Sequence, residues 1–381
     1  MGNVRPIAIY LPQFHPIPEN DKWWGKGFTE WTNVTKAKPL FEGHYQPHLP
    51  ADLGFYDLRL PEARQAQVDL AKEYGIAGFC YYHYWFNGQR ILERPFQEVF
   101  ESGKPDFPFM LCWANENWSR TWDGNENEYL LKQNYREEDD RNHINALIPY
   151  FKDSRYIKID GKPVFIIYKS DELPNPANTI KVWKEEANKQ GIDLYICRIE
   201  RWTGTSGAEA LSGFDAAIDF QPLSPSLLEY LQRKPKQDPE RKSLTARGVK
   251  KIENLFTKSN VNSPEPQIGF DMAEYVEFDI QREPVKYKCY SGVSPMWDNS
   301  ARRKKEPLIF RNSSPALYFK WLSEKLASFV PYSKDENFIF INAWNEWAEG
   351  NHLEPCTKWG RQYLEATKAA LDNLNHTKNS L

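Results

Sequence analysis

The stretch NFIFINAWNEWAEGNHLEP, residues 337–355, decides how the whole chain is read. Its first part, Asn337 to Trp344, is a largely apolar run, continuous over FIFI at 338–341, rather than an alternating one. Such a strand is buried on both faces, as in a parallel sheet covered by helices. The run leads into two carboxylates, Glu346 and Glu349, framed by Trp344, Asn345, Trp347, Asn351 and His352. Paired acids among tryptophans suit sugar chemistry. One acid protonates a leaving oxygen, the second activates the attacking group, and aromatic faces hold the ring. A lone Glu in such a place reads more simply as a buried, capped acid, but this is a cluster.

Seven more apolar runs precede it: residues 7–14, 76–86, 107–115, 163–169, 193–200, 214–220 and 285–295. Helical patterns lie between them. Residues 60–75 and 176–191 carry apolar residues at helical spacing and end in Gly75 and Gly191, a stop signal. Residues 314–328 begin Ser-Pro, an N-cap followed by proline in the first turn, and 358–374 close the chain. Eight continuous strands with intervening helices predict a (β/α)8 TIM barrel spanning 1–381 as one domain. Residues 15–56 read as a long loop after the first strand, and 222–268 as a charged insertion between strands six and seven. The basic run in that insertion reads as a solvated face. The final NHTKNSL reads as a frayed tail.

Composition excludes several classes. A net charge of −3 with both signs dispersed leaves no basic footprint for nucleic acid. No run approaches the roughly 20 apolar residues of a membrane span. No secretory leader is visible at the start, which predicts a cytoplasmic chain; a secreted chain with its leader removed reads the same way. The five cysteines are scattered and read as free thiols. No metal-ligand cluster and no phosphate-cradling loop is visible, so neither metal nor cofactor is expected. Aromatic residues make up 15% of the chain, with 14 Trp and 20 Tyr. Trp and Tyr join an apolar face to a polar edge, the combination a sugar ring requires.

In a barrel of this kind chemistry sits at the C-terminal ends of the strands. Polar and aromatic residues collect there. Strand one is followed by Gln13, His15, Trp23, Trp24, Glu30 and Trp31, and strand two runs through Tyr82, His83, Tyr84 and Trp85. Strand three leads into Trp113, Asn115, Glu116, Trp118, Trp122 and Asp123, and strand five into Glu200 and Arg201. Strand seven is followed by Trp297, Asp298, Arg302 and Arg303. Tyr82, Trp85, Trp113, Trp118 and Trp297 are candidate ring-stacking surfaces. Glu116 either binds a ring hydroxyl, orients the acid pair, or is a supporting hydrogen-bond residue. Asp298 and Arg302 contact sugar or pair with each other. His83 and His352 donate to hydroxyls or are satisfied structural histidines. Trp344 and Asn345 complete the candidate binding set. An i, i+3 pair in a continuing strand would face opposite ways, so the chain must turn after Trp344 for Glu346 and Glu349 to share a pocket.

Six segments carry a resemblance: YLPQFHPIPENDKWWGKGFTEWTNV (10–34), HYQPHLPADLGFYDL (44–58), GIAGFCYYHYWFNG (75–88), LCWANENWSRTWDG (111–124), YSGVSPMWDNSARR (290–303) and INAWNEWAEGNHLEP (341–355). They resemble the WbsX-type proteins, named as glycosyltransferases and also described as glycoside hydrolase family 99-like. The match runs from about Arg5 to Leu371. A remote similarity to the family 99 endo-α-mannosidases rests on the barrel and on the paired glutamates after strand eight. That similarity implies retention of configuration through the sugar 2-hydroxyl. Glu346 would act as base on that hydroxyl, and Glu349 as general acid and then base for water. The resemblance leaves three functions to separate: a hydrolase acting on an oligosaccharide or polysaccharide, a glycosyltransferase of polysaccharide biosynthesis, and a non-catalytic glycan-binding barrel. Of the transferase marks, the acidic pair Asp139–Asp140 sits in a charged helical stretch rather than in a metal-binding loop.

Overall fold

The computed structural model describes residues 4–120, 125–233, 269–303 and 305–379. Eight strands form the barrel: β1 (Arg5–Tyr10), β2 (Gly78–Phe86), β3 (Phe109–Trp113), β4 (Lys162–Ile167), β5 (Tyr195–Glu200), β6 (Ala216–Asp219), β7 in two pieces (Cys289–Tyr290 and Gly292–Val293) and β8 (Phe338–Ile341). Every neighbouring pair is parallel, in chain order from β1 to β6. The two pieces of β7 close the ring. Tyr290 pairs with Ile218 of β6, Val293 pairs with Ile341 of β8, and β8 returns to β1 through Ile7↔Phe340. This is the (β/α)8 barrel that the continuous apolar runs predict. All nine residues of β2 are buried, as are all of β3, β5, β6 and β8, because the barrel interior covers one face and helices the other.

The helices carry their capping chemistry. α3 (Pro61–Glu73) is followed by Gly75 at φ 81°, and α6 (Pro176–Asn188) by Gly191 at φ 72°. The side chain of Ser314 accepts from Leu317 N and opens α9 (Pro315–Ala327). The closing helix α10 (Gln362–Asn379) runs on into the segment read as a frayed tail. Others were not read in advance. α1 (Pro18–Trp24) and α2 (Glu30–Lys36) lie within the long first loop, and α4 (Arg94–Ser102) and α8 (Met272–Ile280) follow β2 and precede β7. α5 (Glu137–Lys152) contains the Asp139–Asp140 pair, as its charge pattern suggested. Within the insertion read at 222–268, α7 (Pro225–Arg233) is described; the remainder from 234 to 268, like Trp122 and Asp123, lies outside the described residues.

Strands stop short of the apolar runs. β1 ends at Tyr10 although the run continues to Phe14, and β8 ends at Ile341 although it continues to Trp344. Leu11, Phe14 and Trp344 remain buried where the chain leaves the sheet, so burial outlasts the ladder. None of the five cysteines is in a disulfide. Among the described residues no helix is long and apolar enough to cross a membrane.

Barrel closure depends on Gly292. A Cβ there would lie 2.0 Å from the Asp219 carbonyl oxygen of β6. Backbone cannot yield to that contact without separating β7 from β6. Gly292→Ala is therefore expected to cost about 2–3 kcal/mol or more, read as a lower urea midpoint. An unchanged midpoint would mean that this seam opens freely.

Candidate active site

The exit of β8 is tied to the exit of β1. Trp344 N donates to Ile9 O at 2.8 Å, and the Asn345 amide bridges both polar groups of Leu11 at 2.7 and 3.0 Å. Asn345–Glu346 then pairs antiparallel with Asn351–His352. Between them Trp347–Glu349 makes one 3-10 turn, ended by Gly350 at φ 55°. Gly350 packs so closely that an added Cβ would sit 2.9 Å from Asp298 O, and Asp298 N donates to Glu349 O at 2.7 Å. This hairpin is the turn that the i, i+3 spacing required.

Both acids reach one cation. Arg302 Nη1 donates to Glu349 Oε1 at 2.7 Å, and Nη2 donates to Glu346 Oε2 at 3.2 Å. Nε and Nη2 donate to a third carboxylate, Glu30 Oε1, at 3.0 and 2.8 Å. Glu30 is fully buried at the start of α2, where Thr29 forms a capping box and Glu30 N donates to Gln13 O. Exposure separates the two acids: the Glu346 side chain is 6% exposed and that of Glu349 is 21%. Glu349 is the one more open to an incoming group.

Three carboxylates around one guanidinium leave an excess of negative charge in a largely buried site. Burial and the Glu349 charge push Glu346 up to about 8 against the pull of Arg302. Burial likewise raises Glu349, with Arg302 opposing and Glu30 and Glu116 adding to the rise. The pair therefore holds a proton in the neutral range, and that proton belongs to the pair rather than to one residue.

This has a consequence for stability. A carboxyl that binds its proton more tightly folded than unfolded favours the fold while protonated. That advantage is lost as pH rises from the ordinary glutamate range through about 8. Glu346→Gln removes the loss. It is expected to raise stability at pH 8 by on the order of 1 kcal/mol and to change it little near pH 4.5. Thermal unfolding at both pH values tests this; a variant less stable than its parent at pH 8 would contradict it.

Across the mouth, Glu116 follows β3 and pairs with Lys169 at 3.0 Å and, more loosely, Arg201 at 4.0 Å. Burial pushes its carboxyl up, but these two cations outweigh burial and hold it below the ordinary range. Asn115 sets Lys169 in place: its amide accepts from Lys169 N at 2.7 Å and donates to Lys169 O at 2.8 Å. Tyr82 of β2 lies within the field of both acids and Tyr84 within that of Glu346, and Tyr168 stands edge-on to Tyr82 at 5.8 Å. The Arg201 guanidinium lies 5.1 Å from the Tyr168 ring centre. Outward from Tyr84 come Trp118, edge-on at 5.3 Å, and then Trp23 at 5.9 Å from Trp118.

The structure thus brings together Glu346, Glu349, Arg302, Glu116, Tyr82 and Trp118. It does not bring His83, Trp85 or Trp113 to the mouth. Strand alternation turns Tyr82 and Tyr84 inward and sends His83 and Trp85 outward onto α5. There His83 stacks on His143 and bonds to it at 3.0 Å, and the Trp85 indole donates to Asp139. Trp113 packs against His143 and Trp183 of α6. Trp344, expected beside substrate, is fully buried against Phe79. His352 is also fully buried, stacked on Trp347 with centroids 3.7 Å apart and bonded to His48. Asn345 serves the backbone, and Trp297 is buried. Asp298 pairs not with Arg302 but with His44 at 2.6 Å and Gln46 at 2.8 Å.

Glu30, Tyr84, Tyr168, Lys169 and Arg201 were not in the candidate set. Tyr168 and Lys169 follow β4 directly, so the rule that site residues sit at strand ends points to them as well. Glu30 had a weaker signal, an acid in a Trp-rich loop after β1.

The site is thus an eight-stranded barrel with acids and aromatics at its C-terminal mouth, the end at which barrels of this kind carry their chemistry. The profile of the family described as "Glycosyltransferase WbsX" matches residues 6–367, and the chain belongs to that family. The proteins described as "Uncharacterized protein WxcX" from two strains of Xanthomonas campestris pv. campestris are 38% and 39% identical over 374 and 368 residues. Each alignment covers 96% of this chain and 49% of the relative, so the chain spans about half the length of these relatives. Among solved structures, a GH99 endo-alpha-mannosidase from Bacteroides thetaiotaomicron superposes with a TM-score of 0.57 at 12% identity, over 100% of both chains. A "Glycoside hydrolase-like protein" gives 0.55 at 14%, over 97% of this chain and 94% of the other. At that identity the likeness is one of fold. The profile and the relatives thus show the family, and the superposition shows a GH99-like barrel fold.

Proposed function

We propose that this chain is a retaining glycoside hydrolase in which Glu346 and Glu349 act through the 2-hydroxyl of the sugar. The observation that carries the reading is the convergence of both glutamates on one partly buried guanidinium at the C-terminal mouth of the barrel, faced by Glu116 and a tyrosine wall. The one proton that the pair shares rests on Glu349 in the reactive form, so Glu346, the more buried acid, is ionised and takes the proton of the 2-hydroxyl. O2 then attacks the anomeric carbon as the glycosidic bond breaks, and Glu349 gives its proton to the leaving oxygen. The product is a 1,2-anhydro sugar. Glu349, now ionised, takes a proton from water whose oxygen opens the ring at the anomeric carbon, while O2 recovers its proton from Glu346. Two inversions retain configuration. Attack by O2 requires the leaving group on the opposite face, so the substrate is a 1,2-trans glycoside, a class that includes α-mannosides. Glu116, held ionised by Lys169 and Arg201, accepts hydrogen bonds from ring hydroxyls, and Tyr82, Tyr84 and Trp118 supply the apolar face.

The test is a screen of purified protein against α- and β-linked oligosaccharides and polysaccharides beside Glu349→Gln. The expected result is product release by the parent alone, with no release from the 2-deoxy analogue of the responsive substrate. The family's description favours a second reading, sugar transfer. No release from any glycan, together with a thermal shift on adding a nucleotide sugar, would replace hydrolysis with that reading. Tight glycan binding unaffected by Glu349→Gln and without turnover would indicate a binding barrel.

A further inference from the structure

The acid pair is held by something other than itself. Arg302 is delivered by the loop after β7 and touches both acids, yet two of its donors converge on a single oxygen of Glu30, Oε1. Glu30 comes from the first loop, 272 residues away in sequence. It has no exposed surface, so it cannot itself meet a substrate. Its other oxygen, Oε2, is buried and finds no hydrogen-bond partner among the described residues. A buried acceptor without a partner costs about 1–3 kcal/mol. The arrangement makes better sense as a fixed counterweight. It takes two donors of a guanidinium that would otherwise turn wholly to the acid pair, and it adds a negative charge behind that guanidinium.

We infer that Glu30 is a positioning residue for the Glu346–Glu349 pair: by gripping Arg302 it withholds that cation from the pair and so keeps a proton on it for acid catalysis. The inference rests on the assignment of Glu346 and Glu349 as the reacting acids. Both parts of the effect have one sign. The Glu30 charge raises the proton affinity of its neighbours, and a guanidinium tied to Glu30 neutralises the pair less completely. Among the described residues, the other charged or titratable groups around the cluster include Glu116 after β3, Lys169 and Arg201 behind it, Asp298 with His44 beside the hairpin, and the phenols of Tyr82, Tyr84 and Tyr168. None of them contacts Arg302 as Glu30 does.

The experiment titrates the glutamate carboxyls of the full chain by carbon-detected NMR after selective labelling, with Glu346→Gln and Glu349→Gln assigning the signals. In Glu30→Gln the pair is expected to lose its proton at a pH lower by about one unit or more, and both limbs of the pH profile of kcat/KM are expected to move down with it. Activity would fall most on the alkaline side, by about tenfold, and least near pH 5. An unmoved titration, with or without a loss of kcat, would overturn the inference and leave Glu30 a structural residue. If Glu30→Gln does not fold, Arg302→Lys tests the same grip from the other side. A lysine cannot span three carboxylates, so the pair's titration is expected to move up; an unchanged one again overturns the idea. The titration needs no substrate, so it stays readable if no glycan is cleaved, and failure of the hydrolase reading is seen separately in the glycan screen.

Discussion

Glu349→Gln is expected to lower turnover by about 10²–10⁴-fold while leaving the barrel folded. The residue sits at the open side of the pair, 21% exposed, and its proton is raised by burial against the pull of Arg302. An amide of the same shape keeps the contact with Arg302 but has no proton to give. The loss should depend on the leaving group. With a glycosyl fluoride of the responsive sugar, departure needs no protonation, so the first step should recover and the anhydro product should build up. Glu346→Gln should not recover with fluoride, because the 2-hydroxyl still lacks its base. Rescue of Glu346→Gln and not of Glu349→Gln would exchange the two roles. Full turnover by both variants would remove the pair from catalysis.

Arg302→Met carries the largest expected effect on stability. The guanidinium is the common counter-ion of Glu30, Glu346 and Glu349. Removing one partner of a buried ion pair costs about 3–5 kcal/mol because the remaining charge is stranded. Here the stranded groups are acids, and without the cation they bind protons still more tightly in the folded chain than in the unfolded one. Stability then falls as pH rises above the ordinary glutamate range, so the deficit should be smallest near pH 4.5 and largest near pH 8. Chemical denaturation at the two pH values measures it. A deficit independent of pH would mean that Arg302 contributes by packing alone. Loss of activity should accompany it, since the hairpin acids lose the group that holds them together.

Much of the fold was legible because burial on both faces of a parallel sheet leaves an unbroken apolar run. The helix ends were legible because Gly75, Gly191 and Ser314 act through local backbone chemistry. The same double burial hid the site. In GFCYYHYWF every residue of β2 is buried, so no contrast of polarity shows which side chains face the mouth. Tyr82 and His83 look equivalent in sequence, yet one meets the field of the acids and the other stacks on α5. Trp113, read as a ring-stacking surface, and Trp344, read as a binding residue, pack against buried neighbours for the same reason: an aromatic residue at a strand end serves the outer layer as readily as the inner one.

What the sequence determined by itself was therefore local and periodic: eight buried strands, their caps, and an acid pair one turn apart after the last strand. What only the tertiary structure decided was convergence and facing. Arg302 and Glu30 meet across 272 residues, and Lys169 and Arg201 close on Glu116 from two other loops. The reason is physical. Period and capping arise from interactions a few residues apart, which any chain records in order. Contacts between loops at the mouth of a barrel depend on strand phase and ring closure, and those exist only once all eight strands are paired.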